Sequence, residues 1–379
     1  MEDEGQEKSL RISSVSFHIS SLWYVLLLCL CVLPGARTRC ERKPVIFNFG
    51  DSNSDTGGFS AALGVTFKLP FGRAFLREQN GRISDGRLMI DFFCESLNAS
   101  YLSPYLDSLG SDFTNGANFA VAGATTLRKF NSFSLDVQVL QFLRFRAGSL
   151  LLTSKGYTNQ VSEEEFRNAL YIIDIGQNDL FASFIDLLYE QVIQSIPTFI
   201  AVIKSAVWDI YKSGGKNFWI HNTGPLGCLP QKLATISARN ATSDYDPYGC
   251  LFPLNNAAKQ FNRQLKALCQ KLRSEMIDAT IVYVDVYSVK YHLIANSARY
   301  GFENPLMACC GHGGPPYNYD PTTRCGNSSV TACDPGLHYV SWDGIHHTEA
   351  ANSIFAASIL SSKFSTPHTN LNFFCAINV

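Results

Sequence analysis

The chain has almost no net charge, with 31 Lys and Arg against 32 Asp and Glu in 379 residues, a formal −1. That balance leaves no electrostatic footprint for a nucleic-acid backbone or an anionic membrane surface, and no nucleic-acid partner is expected. The sequence has no internal repeat, no coiled-coil heptads and no low-complexity stretch, which excludes solenoids, long coiled coils and compositionally biased tails. Long apolar runs are missing as well. The run over 22–33 has about twelve residues where a bilayer span needs about twenty, so no stable membrane span is expected.

What is present suits one large exported domain. Apolar residues make up 46% of the chain, ample for a deep core. Length alone suggests two domains, but α/β folds often run long as a single unit. The run over 22–33, followed by Pro34-Gly35-Ala36-Arg37, predicts a signal peptide over 1–39, cleaved between about 36 and 40. The acidic start Glu2-Asp3-Glu4 keeps a signal anchor open as the alternative. A secreted, extracellular or cell-wall domain then covers 40–379.

Cysteine usage agrees with export. Cys40, Cys94, Cys228, Cys250, Cys269, Cys309, Cys310, Cys325, Cys333 and Cys375 form an even set of ten beyond the leader, read as disulfides of unassigned connectivity. Cys228 with Cys250, and the cluster Cys309, Cys310, Cys325 and Cys333, look like loop staples. A zinc site with His312 is the rival for that cluster, but the spacing matches no standard pattern; neither metal nor other cofactor is expected. Asn98, Asn240 and Asn327 each begin an N-x-S/T sequon, the signature of surface glycosylation.

Apolar runs at 45–49, 119–121, 171–175, 218–222 and 280–287 read as buried strands. Between them, Ala258, Phe261, Leu265, Leu268, Leu272 and Met276 recur at helical spacing, and 193–211 and 349–360 show similar faces. Alternating strands and helices imply a parallel sheet covered on both sides. In such sheets, sites form beyond the carboxyl ends of the strands.

Chemistry-bearing residues cluster at those ends. Gly50-Asp51-Ser52-Asn53-Ser54-Asp55 follows the first strand, placing Ser52 on a polar turn. Its bland reading is an Asx-type turn. A serine hydroxyl needs a base to become a nucleophile, and Trp342-Asp343-Gly344-Ile345-His346 offers one, with a carboxylate three residues ahead. Gly123, in Asn118-Phe119-Ala120-Val121-Ala122-Gly123-Ala124, and Asn178, in Gly176-Gln177-Asn178-Asp179, offer a backbone and a side-chain donor for an oxyanion. Each has an alternative, a tight turn for Gly123 and a helix N-cap for Asn178. Elsewhere His221 reads as a buried structural histidine, and Arg82, Asp85 and Arg87 as a brace for the helix through Phe92 and Leu97. Tyr317 and Tyr319 receive no binding role.

In order and in wording, these motifs resemble the SGNH hydrolases, and the whole chain resembles a plant GDSL esterase/lipase. The likeness extends from about Val45 to Leu360. It includes Asn222-Thr223-Gly224-Pro225-Leu226-Gly227-Cys228-Leu229-Pro230, Cys309-Cys310-Gly311 and His347-Thr348-Glu349-Ala350-Ala351-Asn352. The resemblance implies a single-domain three-layer α/β/α sandwich with a five-stranded, mostly parallel, flavodoxin-like sheet. It also implies Ser52 as nucleophile, His346 as general base and Asp343 as the group orienting the imidazole. The Ser52 amide, Gly123 amide and Asn178 side chain would form the oxyanion hole. One departure is His347, where many relatives carry Pro or an aromatic residue; the Asp-to-His spacing is unaffected. The Gly-x-Ser-x-Gly elbow of α/β-hydrolases is absent, because Ser54 holds its last position.

The expected activity is hydrolysis of carboxylic esters through an acyl-serine, on acyl lipids, acetylated polysaccharides or small esters. An acyltransferase using the same acyl-enzyme is one alternative. A fucosidase-type glycosidase is another, since the motif containing Asn53 resembles a subgroup with such labels; Asp51 and Asp55, both on one turn, poorly suit a pair that must flank a glycosidic bond.

Overall fold

The computed structural model describes residues 40–75, 81–238 and 244–375; the expected signal peptide and the sequon at Asn240 fall outside them. Alternation along each strand divides its side chains between two cores. In β1 (Ile46–Gly50) Phe47 and Phe49 face one core and Ile46 the other. In β3 (Leu170–Asp174) Tyr171 and Ile173 oppose Leu170 and Ile172, and in β4 (Asn217–His221) Phe218 and Ile220 oppose Trp219. β5 (Thr280–Val284) repeats the pattern. Strands apolar on both faces belong inside a parallel sheet covered by helices.

The helices Leu135–Ser154, Tyr189–Lys212 and Phe252–Glu275 pack on the first face. Met89–Ser96, Val286–Ala295 and Glu349–Leu360 pack on the second. The helix Tyr189–Lys212 has the length and composition of a membrane span, yet Val192, Ile196, Ile203, Val207 and Ile210 bury one face of it in the core. The result is a three-layer α/β/α sandwich.

Among the described residues the sheet has six strands rather than the expected five, in the order β2-β1-β3-β4-β5-β6. The addition is β6 (Ser365–Thr366), a two-residue antiparallel edge beside Tyr283 and Val284, too short to leave a periodic signal. β2 is Gly116–Asn118, earlier than the expected 119–121. The Phe119 and Val121 amides still donate to Asn48 and Gly50 carbonyls, so extended backbone continues past the strand's end. The fifth strand stops at Val284, because Asp285 caps the next helix by accepting from the Ser288 amide.

Strand order fixes where a site can form. β1 pairs with β2 on one side and β3 on the other, all parallel, so the chain reverses its direction of travel across the sheet there. The crevice beyond the carboxyl ends of β1 and β3 is such a switch point. Ser52 leaves β1 and Asn178 follows β3.

Among the described residues eight cysteines, not the expected ten, form disulfides: Cys40–Cys375, Cys228–Cys250, Cys309–Cys333 and Cys310–Cys325. Cys94 and Cys269 are free thiols, buried in the second and first cores respectively. The sheet separates them, and each packs as a small apolar side chain. The cluster of four is consumed in cross-links, which leaves no thiolates for zinc.

Candidate active site

The serine turn is built by carboxylates accepting backbone protons. Asp51 accepts at Oδ1 from the amide N–H and Nδ2 of Asn53, each at 2.9 Å. Its carbonyl receives the Ser54 and Asp55 amides. Asp55 collects the amides of Gly57, Gly58 and Phe59, and reaches across to Ala122 N–H at 2.7 Å. That last bond ties the serine turn to the segment carrying Gly123. The paired carboxylates Asp51 and Asp55 are thus frame, not a flanking acid pair. Gly50 is required by closeness, since a Cβ there would lie 2.4 Å from the Asp174 carbonyl oxygen. Ser52 is nearly buried, 6% exposed.

Gly123 has φ of 79°, the left-handed region that favours glycine, in a turn closed by Ala124 N–H to Val121 O. Asn178 is the second residue of the helix Gln177–Asp186, whose N-cap is Gly176; the capping alternative is excluded. Its Nδ2 donates to Ala124 O at 3.0 Å and to Asp51 Oδ2 at 3.3 Å. Asn178 therefore bridges the Ser52 and Gly123 segments. The neighbouring Asp179 accepts from the amide and hydroxyl of Thr126, and burial raises its carboxyl to about 6.

Asp343 and His346 meet at the other end of the chain. Asp343 Oδ2 lies 2.7 Å from His346 Nδ1, while Oδ1 accepts the amides of Ile345 and His346. Burial opposes ionisation of Asp343, but the His346 ring and these N–H bonds hold its carboxyl below the usual range. The turn is anchored by Trp342 N–H to His346 O, and by Gln231 N–H to Gly344 O. His347 is a neighbour with its own surroundings: its ring packs edge-on against Phe355, and burial, with Lys290 and His346 nearby, keeps it neutral far below the usual histidine range.

The structure thus joins Ser52, Gly123 and Asn178 in one assembly and Asp343 with His346 in another. Among the described residues no hydrogen bond joins Ser52 to His346. A cavity of about 20 Å³ is lined by chain neighbours of both assemblies, Gln177 beside Asn178 and His347 beside His346, together with Lys290. Lys290 Nζ reaches Asn53 Oδ1 at 3.3 Å. Sequence reasoning passed over Gln177, Asp179 and Lys290. The first two flank Asn178 in its motif, whereas Lys290 sits in an apolar helix with nothing in sequence to mark it.

Other expectations have definite places. His221 is buried with Nδ1 3.4 Å from Asp174 Oδ2. Arg82 pairs with Asp91, and Arg87 with Glu95 and Glu349, bracing the helix Met89–Ser96. Tyr319 accepts from Gln231 Nε2, and Tyr317 lines a separate groove of about 580 Å³. Asn98 and Asn327 are exposed.

Comparison with known proteins accords with this architecture. The family described as GDSL-like Lipase/Acylhydrolase matches residues 46–359. A GDSL esterase/lipase of Arabidopsis thaliana is 52% identical, over 96% of this chain and 100% of its own length. An Arabidopsis thaliana protein named Alpha-L-fucosidase 3 is 45% identical, over 88% of this chain and 94% of its own. A Hevea brasiliensis protein named Esterase is 44% identical, over 92% and 93%. The chain belongs to the GDSL-like lipase/acylhydrolase family, within the plant GDSL esterases/lipases, and is an ester hydrolase.

Proposed function

We propose that this protein is a secreted serine esterase in which Ser52 is the nucleophile, His346 the general base and Asp343 its orienting carboxylate. The Asp343–His346 contact of 2.7 Å carries the reading, because it commits Nδ1 to the carboxylate and leaves Nε2 to exchange protons. Nε2 takes the Ser52 proton as Oγ bonds to the ester carbonyl carbon, and the carbonyl oxygen becomes an oxyanion. The amides of Ser52 and Gly123 and the Asn178 side chain receive that charge. One Asn178 Nδ2 proton stays on Asp51 Oδ2, and the other turns from Ala124 O to the oxyanion. Collapse expels the alcohol, protonated by His346. Water then repeats the sequence on the acyl-serine and releases the acid.

Substrates of this chemistry are acyl lipids, acetylated cell-wall polysaccharides or small esters. Four disulfides support export, as oxidising compartments preserve them, and exposed Asn98 and Asn327 suit glycosylation. The relative named as a fucosidase supports a second reading, glycoside cleavage at the same rim. Replacing Ser52 by Ala should abolish hydrolysis of p-nitrophenyl acetate while the protein is still secreted and folded. Undiminished esterase activity in that variant would remove the acyl-serine; retained cleavage of p-nitrophenyl fucoside would favour the glycosidase.

A further inference from the structure

Lys290 is an ionisable side chain in the interior, 2% exposed, for which the mechanism above has no use. Desolvating an ammonium is costly unless something compensates it. Among the described residues no carboxylate lies within 4.0 Å of it; its hydrogen bond goes to the Asn53 side-chain oxygen. Two carboxylates act on it from further away, Asp51 after β1 and Asp174 at the end of β3. His221 is bound to Asp174, and neutral His347 faces the lysine from the loop before Glu349–Leu360. Room for the aliphatic stem is provided by Gly224, where a Cβ would come within 2.9 Å of Lys290 Cδ.

Resting on the serine-esterase reading, we propose that Lys290 is a positioning residue for the oxyanion-stabilising half of the site. Its ammonium orients Asn53, Asn53 orients Asp51, and Asp51 holds the Asn178 amide beside the Ser52 turn. The chain of contacts is continuous. Lys290 Nζ meets Asn53 Oδ1 at 3.3 Å, Asn53 donates twice to Asp51 Oδ1 at 2.9 Å, and Asn178 donates to Asp51 Oδ2 at 3.3 Å. Asn53 Nδ2 also touches Gln177 Oε1 at 3.4 Å, so the lysine reaches the start of the asparagine's own helix. Every donor on Asp51 is an N–H, an arrangement suited to the ionised carboxylate. Burial and Asp174 raise that carboxyl to about 7, opposed by Asn53 and Lys290. Removing the cation therefore favours protonated Asp51 and loosens Asn178.

Lys290→Met should lower kcat for p-nitrophenyl acetate roughly ten- to hundredfold, with KM changed less than about threefold. The acid limb of its kcat profile should move upward by roughly half a unit or more, because the field lowering the Asp51 pKa is gone. A purely structural lysine would leave that limb in place. In an Asp51→Asn background the same substitution should cost less than about twofold, since coupled residues are not additive. Asn53→Ala, at a half-buried position, cuts the link without emptying the interior and should reproduce the fall in kcat; it decides the matter if Lys290→Met does not fold. The proposal is overturned by a folded Lys290→Met with kcat within about twofold of the parent, by an unmoved acid limb, by additive effects with Asp51→Asn, or by unaltered kcat in Asn53→Ala. An inactive Ser52→Ala alongside active Lys290 variants sinks this inference alone, whereas an active Ser52→Ala sinks it together with the esterase reading.

Discussion

The serine half of the site and the histidine half are held by different means. Ser52 and Gly123 sit on short turns leaving a parallel sheet and Asn178 at the start of the helix after β3, and ladder bonds plus buried side chains fix these segments: Asp55 to Ala122, Asn118 to Asn48, Gln138 to both polar atoms of the Gly50 backbone. Asp343 and His346 lie between Tyr300 and Glu349, a stretch with neither helix nor strand among the described residues. There the disulfides Cys309–Cys333 and Cys310–Cys325 do what the sheet does elsewhere. Buried Trp342 packs against Phe71, under the Arg73 guanidinium at 5.2 Å from the ring centroid. Position can thus be set by a repeating ladder or by covalent closure of irregular loops. The first resists reductant and the second does not.

The sharpest way to break this comparison is at the base. His346→Ala should reduce kcat/KM about 10⁴-fold, with melting little altered; a loss below about tenfold would mean that the irregular half is not where the base resides. Next comes Asn178→Ala, expected to lower kcat by about 10²–10³-fold with KM nearly unchanged. A change confined to KM would make Asn178 a binding residue and detach the sheet-held half from the charge it is assigned. Converting Cys310 and Cys325 together to Ser opens a loop of 15 residues and should cost about 3 kcal/mol of stability. Esterase activity should then be lost at lower denaturant concentration than the far-UV helix signal; coincident loss would show the two halves to be one cooperative unit.

The smallest effect concerns acid. A carboxyl held below its usual value contributes stability that is complete above about pH 4, its ordinary titration, and is lost only as pH falls through the lowered native value. Asp343→Asn should therefore flatten the dependence of unfolding midpoint on pH below about 4 and leave it unchanged near 7. An identical acid slope in parent and variant would remove the His346 contact as the cause.

Strands apolar on both faces, and helices at three- and four-residue spacing, carried the sandwich from pattern to structure. Boundaries slipped where a local bond overrode the pattern. Val286 and Tyr287 look like strand residues, yet the Asp285 side chain caps a helix around them. β6 escaped because two residues cannot show a period. The segments carrying the candidates Ser52, Gly123, Asn178, Asp343 and His346 stood out in the sequence because each is a turn or helix start rich in glycine or polar residues, a local signal. Lys290 did not stand out, because its hydrogen-bond partner Asn53 lies 237 positions away in the chain. Cys94 and Cys269 misled for a related reason: parity suggests a bond, but only the fold reveals that the sheet stands between them.

Cys40–Cys375 closes the domain into a covalent ring, joining positions 335 residues apart. A protease that nicks any single loop between them cannot separate the pieces. A clipped molecule should therefore migrate at full mass on a non-reducing gel, come apart only when thiol is added, and keep both halves of the proposed site in the meantime. Wherever a protease meets this enzyme, such a ring turns a first cut from destruction into a tolerable scar.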